Sequence, residues 1–182
     1  MFSYVIDNQV KLRQLKLKDA KNMFNVVDQS RGYLREWLPW VDTTRKAEDC
    51  LTFIDQTIRN AENQRALTLG IFVEKKFAGL VGFNYFDWHN KIAPIGYWLA
   101  PQFQGNGIMT TSVRSLIDIG FHEIGLNRIE IRAAVQNQKS RSIPERLDFK
   151  EEGLIRQGEW LYDHYVDLII YGKLASEWYR FR

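Results

Sequence analysis

The sequence predicts an α+β fold, a mostly antiparallel sheet of seven strands with helices crossing between them. Two patterns and their order carry this. Short runs of apolar alternation recur, the plainest being Leu67, Leu69, Ile71 and Val73 in "ALTLGIFVE". Other stretches space apolar side chains three and four apart, as with Ala20, Met23, Phe24 and Val27. Several strand-like runs also follow one another through turns too short for a crossover helix, which makes their pairing antiparallel.

The elements follow in order. "VKLRQL" alternates as a strand, with Val10, Leu12 and Gln14 on one side. "KDAKNMFNVVDQ" is helical, and "YLREWL" is a short helix stopped before Pro39. Asp42, Thr43 and Thr44 offer caps for the next helix, whose apolar face is Ala47, Cys50, Leu51, Ile54, Ile58 and Ala61. Cys50 lies on that face and reads as a packed core thiol. "ALTLGIFVE", "FAGLVGFNYF" and "APIGYWLA" then form a three-stranded meander through "KK" and "DWHNK". A glycine turn leads into a helix marked by Ile108, Val113, Leu116, Ile117 and Phe121. "NRIEIRAAV" is a strand, and "NQKSRSIPERLDF" a short helix containing Pro144, which has no N–H to donate to the Ser140 carbonyl. "KEEGLIRQGEWL" and "HYVDLIIYGKL" close the chain as a hairpin.

Composition bounds the function. At 182 residues, 45% hydrophobic and 26% charged, the chain reads as one soluble globular domain spanning 1–182. Its net charge of +3 comes from 25 basic and 22 acidic residues without a dense Lys/Arg cluster. That argues against a dedicated nucleic-acid binder and suits a small polyanionic ligand. A single cysteine precludes an internal disulfide and fits a reducing compartment. The N-terminus "MFSYVIDNQVKLRQ" lacks a signal-peptide pattern, and no apolar window approaches a membrane span, so the protein reads as cytoplasmic. The many rings, six Trp, eight Tyr and eleven Phe, read mainly as core.

The stretch "WLAPQFQGNGIMTTSVRSLID" carries the chemistry. Gly105 and Gly107 stand between a strand and a helix, where unpartnered amides and helix polarity make an anion site. A dinucleotide fingerprint would need a glycine at Thr110, and a P-loop would need a lysine and a hydroxyl where Ile108 and Met109 stand. No HExxH or paired CxxC occurs, and His89 and His122 read as surface or capping residues, so no metal is expected. What remains is a loop able to hold a pyrophosphate on backbone donors, or else a plain helix start.

"PQFQGNGIM" resembles the acetyl-coenzyme A loop of GNAT-superfamily N-acetyltransferases, with Gln102, Gly105 and Gly107 filling Gln/Arg-x-x-Gly-x-Gly/Ala. "IGYWL" before it, the Asn-x-x-Ser segment in "AAVQNQKSRSIPERLDFKEEG", the hairpin "RQGEWLYDHYVDLIIYGKL" and "REWLPWVD" are similar to the RimJ/RimL branch, which acetylates ribosomal-protein N-termini. The family often has Gly-Phe after the Asn-x-x-Ser helix, where this chain has Asp148 and Phe149. Aspartate tolerates the left-handed geometry such a turn requires.

The resemblance implies a GNAT fold with splayed fourth and fifth strands, acetyl-CoA as co-substrate, and acetyl transfer to a primary amine by direct attack. It assigns the pyrophosphate to amides across Gln104, Gly105, Asn106, Gly107, Ile108 and Met109. It gives pantetheine and the thioester to Trp98 and Leu99, with Asn137 as a further partner, and Lys139 and Arg141 as candidates for the phosphate end. An amide near Trp98 or Leu99 would receive the developing oxyanion. Glu159 falls at the general-base position and Ser140 at the general-acid position, with Tyr97 an alternative acid. Trp37, Trp40 and Tyr162 are expected groove walls. The implied acceptor is a protein N-terminus, such as that of a ribosomal protein. A small amine (polyamine or aminoglycoside) and a non-catalytic acyl-CoA-binding module are the alternatives, and a homo-oligomer is compatible with the sequence.

Overall fold

The protein is described by a computed structural model over residues 2–178. Eight strands form one sheet in the order β1-β2-β3-β4-β5-β6-β8-β7. They are β1 (Ser3–Val5), β2 (Val10–Gln14), β3 (Leu67–Val73), β4 (Lys76–Phe83), β5 (Ile92–Leu99), β6 (Arg128–Ala134), β7 (Lys150–Leu161) and β8 (His164–Leu174). The helices are α1 (Ala20–Gln29), α2 (Arg31–Leu34), α3 (Ala47–Glu62), α4 (Ile108–Asp118), α5 (Gln138–Arg146) and α6 (Ala175–Trp178). The predicted class holds, with one strand more than the seven expected. β1 is the addition, a three-residue edge strand paired with β2.

Every neighbouring pair is antiparallel except β5 and β6. A parallel pair needs a crossover, and α4 supplies it. Helices cover both faces. Val113, Leu116 and Ile117 of α4 pack with Leu69, Ile95, Ile129 and Ile131 on one side. Met23 and Val27 of α1 and Cys50 and Ile54 of α3 pack with Phe72, Phe77 and Trp98 on the other. Along α3 the apolar expectation holds for Cys50 and Ile54, whereas Leu51 is exposed and Thr57 is buried. Its start is also set differently from expectation. Asp49, inside the first turn, accepts from the amides of Arg45 and Lys46 at 2.8 and 3.0 Å, in place of a cap from Asp42, Thr43 or Thr44.

The feature that creates a site is where β5 and β6 stop pairing. Ile92 to Ile95 pair with Arg128 to Ile131, and the ladder ends there although both strands continue. These are the splayed fourth and fifth strands of the seven-strand description.

Candidate active site

Backbone alternation decides which groups face the gap. Across β4 and β5, Asn84 donates to Pro94 O and Ala100 donates to Ala78 O. In an antiparallel ladder bonded pairs recur at every second residue, so Trp98 is bonded to Leu80. The N–H and C=O of Trp98 therefore point at β4, and those of Tyr97 and Leu99 point into the gap. This corrects the expected joint backbone role of Trp98 and Leu99. Leu99 N–H faces the gap, while Trp98 presents its ring, set 5.8 Å from both Trp40 and Phe77.

The glycine loop follows β5. Gly105 and Gly107 have φ of 84° and 73°, the left-handed region in which a Cβ is strained. A Cβ on either would meet no protein atom within 4 Å, so both face open space. The first backbone bond closing α4 runs from Thr111 N to Gly107 O at 3.0 Å, and no side chain caps the helix. Among the described residues, the amides from Gly105 through Thr110 have no partner. A run of open donors at the positive end of a helix dipole suits a pyrophosphate. Gln104 departs from expectation. Its amide is bonded to Pro101 O, and its side-chain Nε2 donates to Leu99 O at 2.9 Å and also contacts the Tyr33 hydroxyl, so it braces the loop.

A cavity of about 670 Å³ runs from this loop along the β5 edge to α5, with Leu99, Gly105, Gly107, Ile108, Met109 and Asn137 in its wall. Lys139 stands at its rim with Nζ 4.7 Å from the centre of the Tyr33 ring. Arg141 does not face the cavity. It bonds to Tyr171 Oη and Val135 O. Arg146 lines the cavity instead, on the helical face that runs from Lys139 through Ser142 and Ile143. The period-3.6 spacing from Lys139 was the signal that picks Arg146 over Arg141.

At the inner end, Asn137 caps α5 by accepting from Ser140 N at 3.1 Å through Oδ1, which leaves its Nδ2 donors available. Pro144 sits in α5, so the Ser140 carbonyl loses its usual donor four residues on. Tyr97 replaces that donor, its hydroxyl giving to Ser140 O at 2.8 Å, and Ser140 Oγ donates back to Tyr97 Oη at 3.3 Å. Burial pushes the Tyr97 phenol well above its ordinary range. It therefore stays protonated and anchors Ser140. Beyond the helix Asp148 takes the left-handed conformation, φ 54°, as its sequence context predicts.

A second cavity, about 920 Å³, opens on the α1–α3 face. It shares Trp37, Leu38, Tyr97, Trp98, Asn137 and Ser140 with the first, so the two meet at the end of the gap. Trp40 lines it as expected. Tyr162 does not; its hydroxyl donates to Leu38 O at 2.7 Å and ties the β7–β8 turn to the segment after α2. Glu159 faces this cavity from β7, where a register shift separates it from Ile155. Among the described residues its carboxylate has no hydrogen-bond or ionic partner, and burial raises its pKa above the ordinary carboxylate value. Cys50 is buried with its thiol pushed up to about 11 by burial, and is core, as read from its helix face. No cluster of three or more metal-ligating side chains occurs among the described residues.

Fold and site together define a split sheet with two adjoining cavities, one of them beside a run of open backbone amides, an arrangement suited to a two-substrate transferase. Residues 9–150 match the acetyltransferase (GNAT) domain, and the chain belongs to that family. It is 34% identical over 179 residues, 98% of either chain, to YdaF of Bacillus subtilis (strain 168), a candidate ribosomal N-acetyltransferase. Among solved structures it superposes at TM-score 0.93 on RimL, the ribosomal L7/L12 alpha-N-protein acetyltransferase, in complex with coenzyme A. That match has 27% identity and covers 97% of this chain and 99% of the other. The microcin C7 self-immunity acetyltransferase MccE, in complex with acetyl-CoA and AMP, matches at TM-score 0.89 and 31% identity over 93% and 94% of the chains. The protein is an acetyl-CoA-dependent N-acetyltransferase of the RimJ/RimL-like kind. No helix among the described residues is long and apolar enough to cross a membrane.

Proposed function

We propose that this enzyme acetylates the N-terminal amino group of a protein, such as a ribosomal protein, by direct attack in a ternary complex. The observation that carries the proposal is the meeting of the two cavities at Tyr97 and Ser140, with the unpaired Glu159 carboxylate in the outer one. RimL acts on a protein α-amine by its name, and YdaF is a candidate for a ribosomal substrate. The outer cavity's charge supports the same reading. Its carboxylates are Asp49 and Glu159, and Asp49 is already bonded to two amides. A polycation such as a polyamine calls for more negative charge than that.

Acetyl-CoA supplies the acyl thioester. The amides from Gly105 to Met109 bind its pyrophosphate, and Asn137 Nδ2 and the gap-facing backbone groups of Tyr97 bind the pantetheine arm. Glu159 accepts a proton from the acceptor ammonium, and the freed nitrogen attacks the thioester carbonyl carbon. Leu99 N–H receives the charge that develops on the carbonyl oxygen. As the carbon–sulfur bond breaks, Ser140 Oγ gives its proton to the departing sulfur and is reprotonated, through water, by the second proton that the attacking nitrogen loses as it becomes the amide. Tyr97 keeps Ser140 in place throughout. No step uses Cys50.

The test is thiol release from acetyl-CoA with a panel of peptides bearing free N-termini, alongside spermidine and an aminoglycoside, with mass spectrometry of the products. Acetylation of peptide α-amines is expected. Turnover of the small amines with none of the peptides refutes the proposal.

A further inference from the structure

The acceptor cavity has a feature that amine transfer does not require. Arg132 of β6 is the one Lys or Arg among the described residues lining it. Its guanidinium is 43% exposed and makes one bond, from Nη2 to Glu130 Oε2 at 3.1 Å. Glu130 is shared with Arg128, which also pairs with Glu152, so Arg132 is the loosely held end of this chain of charges. Most of its five donors are free to face the cavity. Asn84 lies nearby. A Cβ on Gly96 would fall 2.6 Å from Asn84 Oδ1 and 3.1 Å from Nδ2, so the carboxamide rests over Gly96. Asn84, Gly96 and Arg132 line the same cavity, where β5 and β6 part. A guanidinium and a carboxamide lining one cavity are donors suited to a carboxylate.

The register also fixes how far this site lies from the chemistry. Arg132 is opposite Ile170 of β8, and Glu159 is opposite Val166 of the same strand. Those positions are four residues apart, roughly 13 Å along the sheet at about 3.3 Å per residue. An extended peptide has the same rise. With its α-amine at Glu159, its fifth residue, four rises on, reaches the level of Arg132, and side-chain length extends this to the fourth or sixth.

Resting on the N-terminal reading above, we infer that Arg132, with Asn84, selects acceptor chains that carry an Asp or Glu at the fourth to sixth residue. The acceptor is then an extended N-terminal segment read at two points, its amine by Glu159 and an acidic side chain by Arg132.

The test uses the full-length enzyme and peptides with a free N-terminal serine in an alanine background, carrying Asp, Asn or Lys at position 4, 5 or 6. With wild type, Asp is expected to exceed Asn about tenfold in kcat/KM at one of these positions, expressed in KM. In Arg132→Gln the Asp/Asn ratio should fall to about one, and in Arg132→Glu the preference should turn to Lys. Thermal unfolding and acetyl-CoA affinity establish that the variants are folded. The wild-type series can refute the inference without them. Peptide turnover with an Asp/Asn ratio near one at all three positions overturns this inference and leaves the N-terminal reading standing, as does a preference undiminished in Arg132→Gln. Turnover of spermidine with no peptide acetylated overturns both.

Discussion

Removing the Tyr97 hydroxyl tests the link between a proline and the site. Pro144 deprives Ser140 O of its helical donor, and Tyr97 supplies another at 2.8 Å. Tyr97→Phe leaves that carbonyl unsatisfied. A buried orphan acceptor costs roughly 1–3 kcal/mol, and the adjoining cavity allows partial hydration, so about 1–2 kcal/mol is expected. For a chain of this length that is a fall in Tm of roughly 2–8 °C. In Pro144→Ala the residue at 144 regains an N–H able to reach Ser140 O. Tyr97→Phe in that background should cost less than about 0.5 kcal/mol. The double-mutant cycle therefore predicts a coupling of about 1 kcal/mol, beyond the 0.3–0.5 kcal/mol scatter expected of independent sites. Denaturant unfolding of the four proteins measures it. Additive losses, with Tyr97→Phe costing the same in both backgrounds, would refute the exchange of donors.

Other outcomes follow from the same structure. Gly107→Val should abolish acetyl-CoA binding in calorimetry, because it fills the open space at the loop and adds roughly 1–2 kcal/mol of left-handed strain; normal affinity would sink the loop assignment. Glu159→Gln should retain coenzyme binding and lose about 10²–10⁴ in turnover; unchanged turnover removes the base assignment. Since burial raises the Glu159 pKa, the acidic limb of the kcat/KM profile should lie above the ordinary carboxylate range, with the rate rising as pH rises through it. The same shift has a stability sign. The folded state holds the Glu159 proton more tightly than the unfolded state, so stability falls as pH rises from the unfolded to the folded pKa. Glu159→Gln should remove that slope and unfold no earlier than wild type at neutral pH. Alkylating reagents at neutral pH should leave turnover intact, because a thiol near pKa 11 is roughly one part in 10⁴ thiolate and Cys50 is buried.

Much of this molecule was legible in its sequence, and what was missed has physical reasons. Leu67–Val73 and the glycine loop announce themselves because alternation and positive φ leave marks in residue type. β1 does not, since three residues at a sheet edge bury too little to need a pattern. The start of α3 was misjudged because Asp49 reaches back from inside the helix, where a carboxylate is otherwise unremarkable. The backbone role of Trp98 failed for a different reason. Which of two neighbours faces the gap depends on the β4–β5 register, and a run of buried apolar residues does not encode its own hydrogen-bond phase. Arg146 was within reach, because the helical period from Lys139 leads to it.

The early end of the β5–β6 ladder makes the sheet a partition with one window. In the mechanism proposed above the two substrates meet through it, and the side chains common to both cavities are confined to its edge. Residues on the α1–α3 bank and the β7–β8 hairpin can then drift toward a new acceptor while the loop after β5 stays as it is. A sheet that closed fully would separate the reactants, and one that opened further would let the two sides constrain each other.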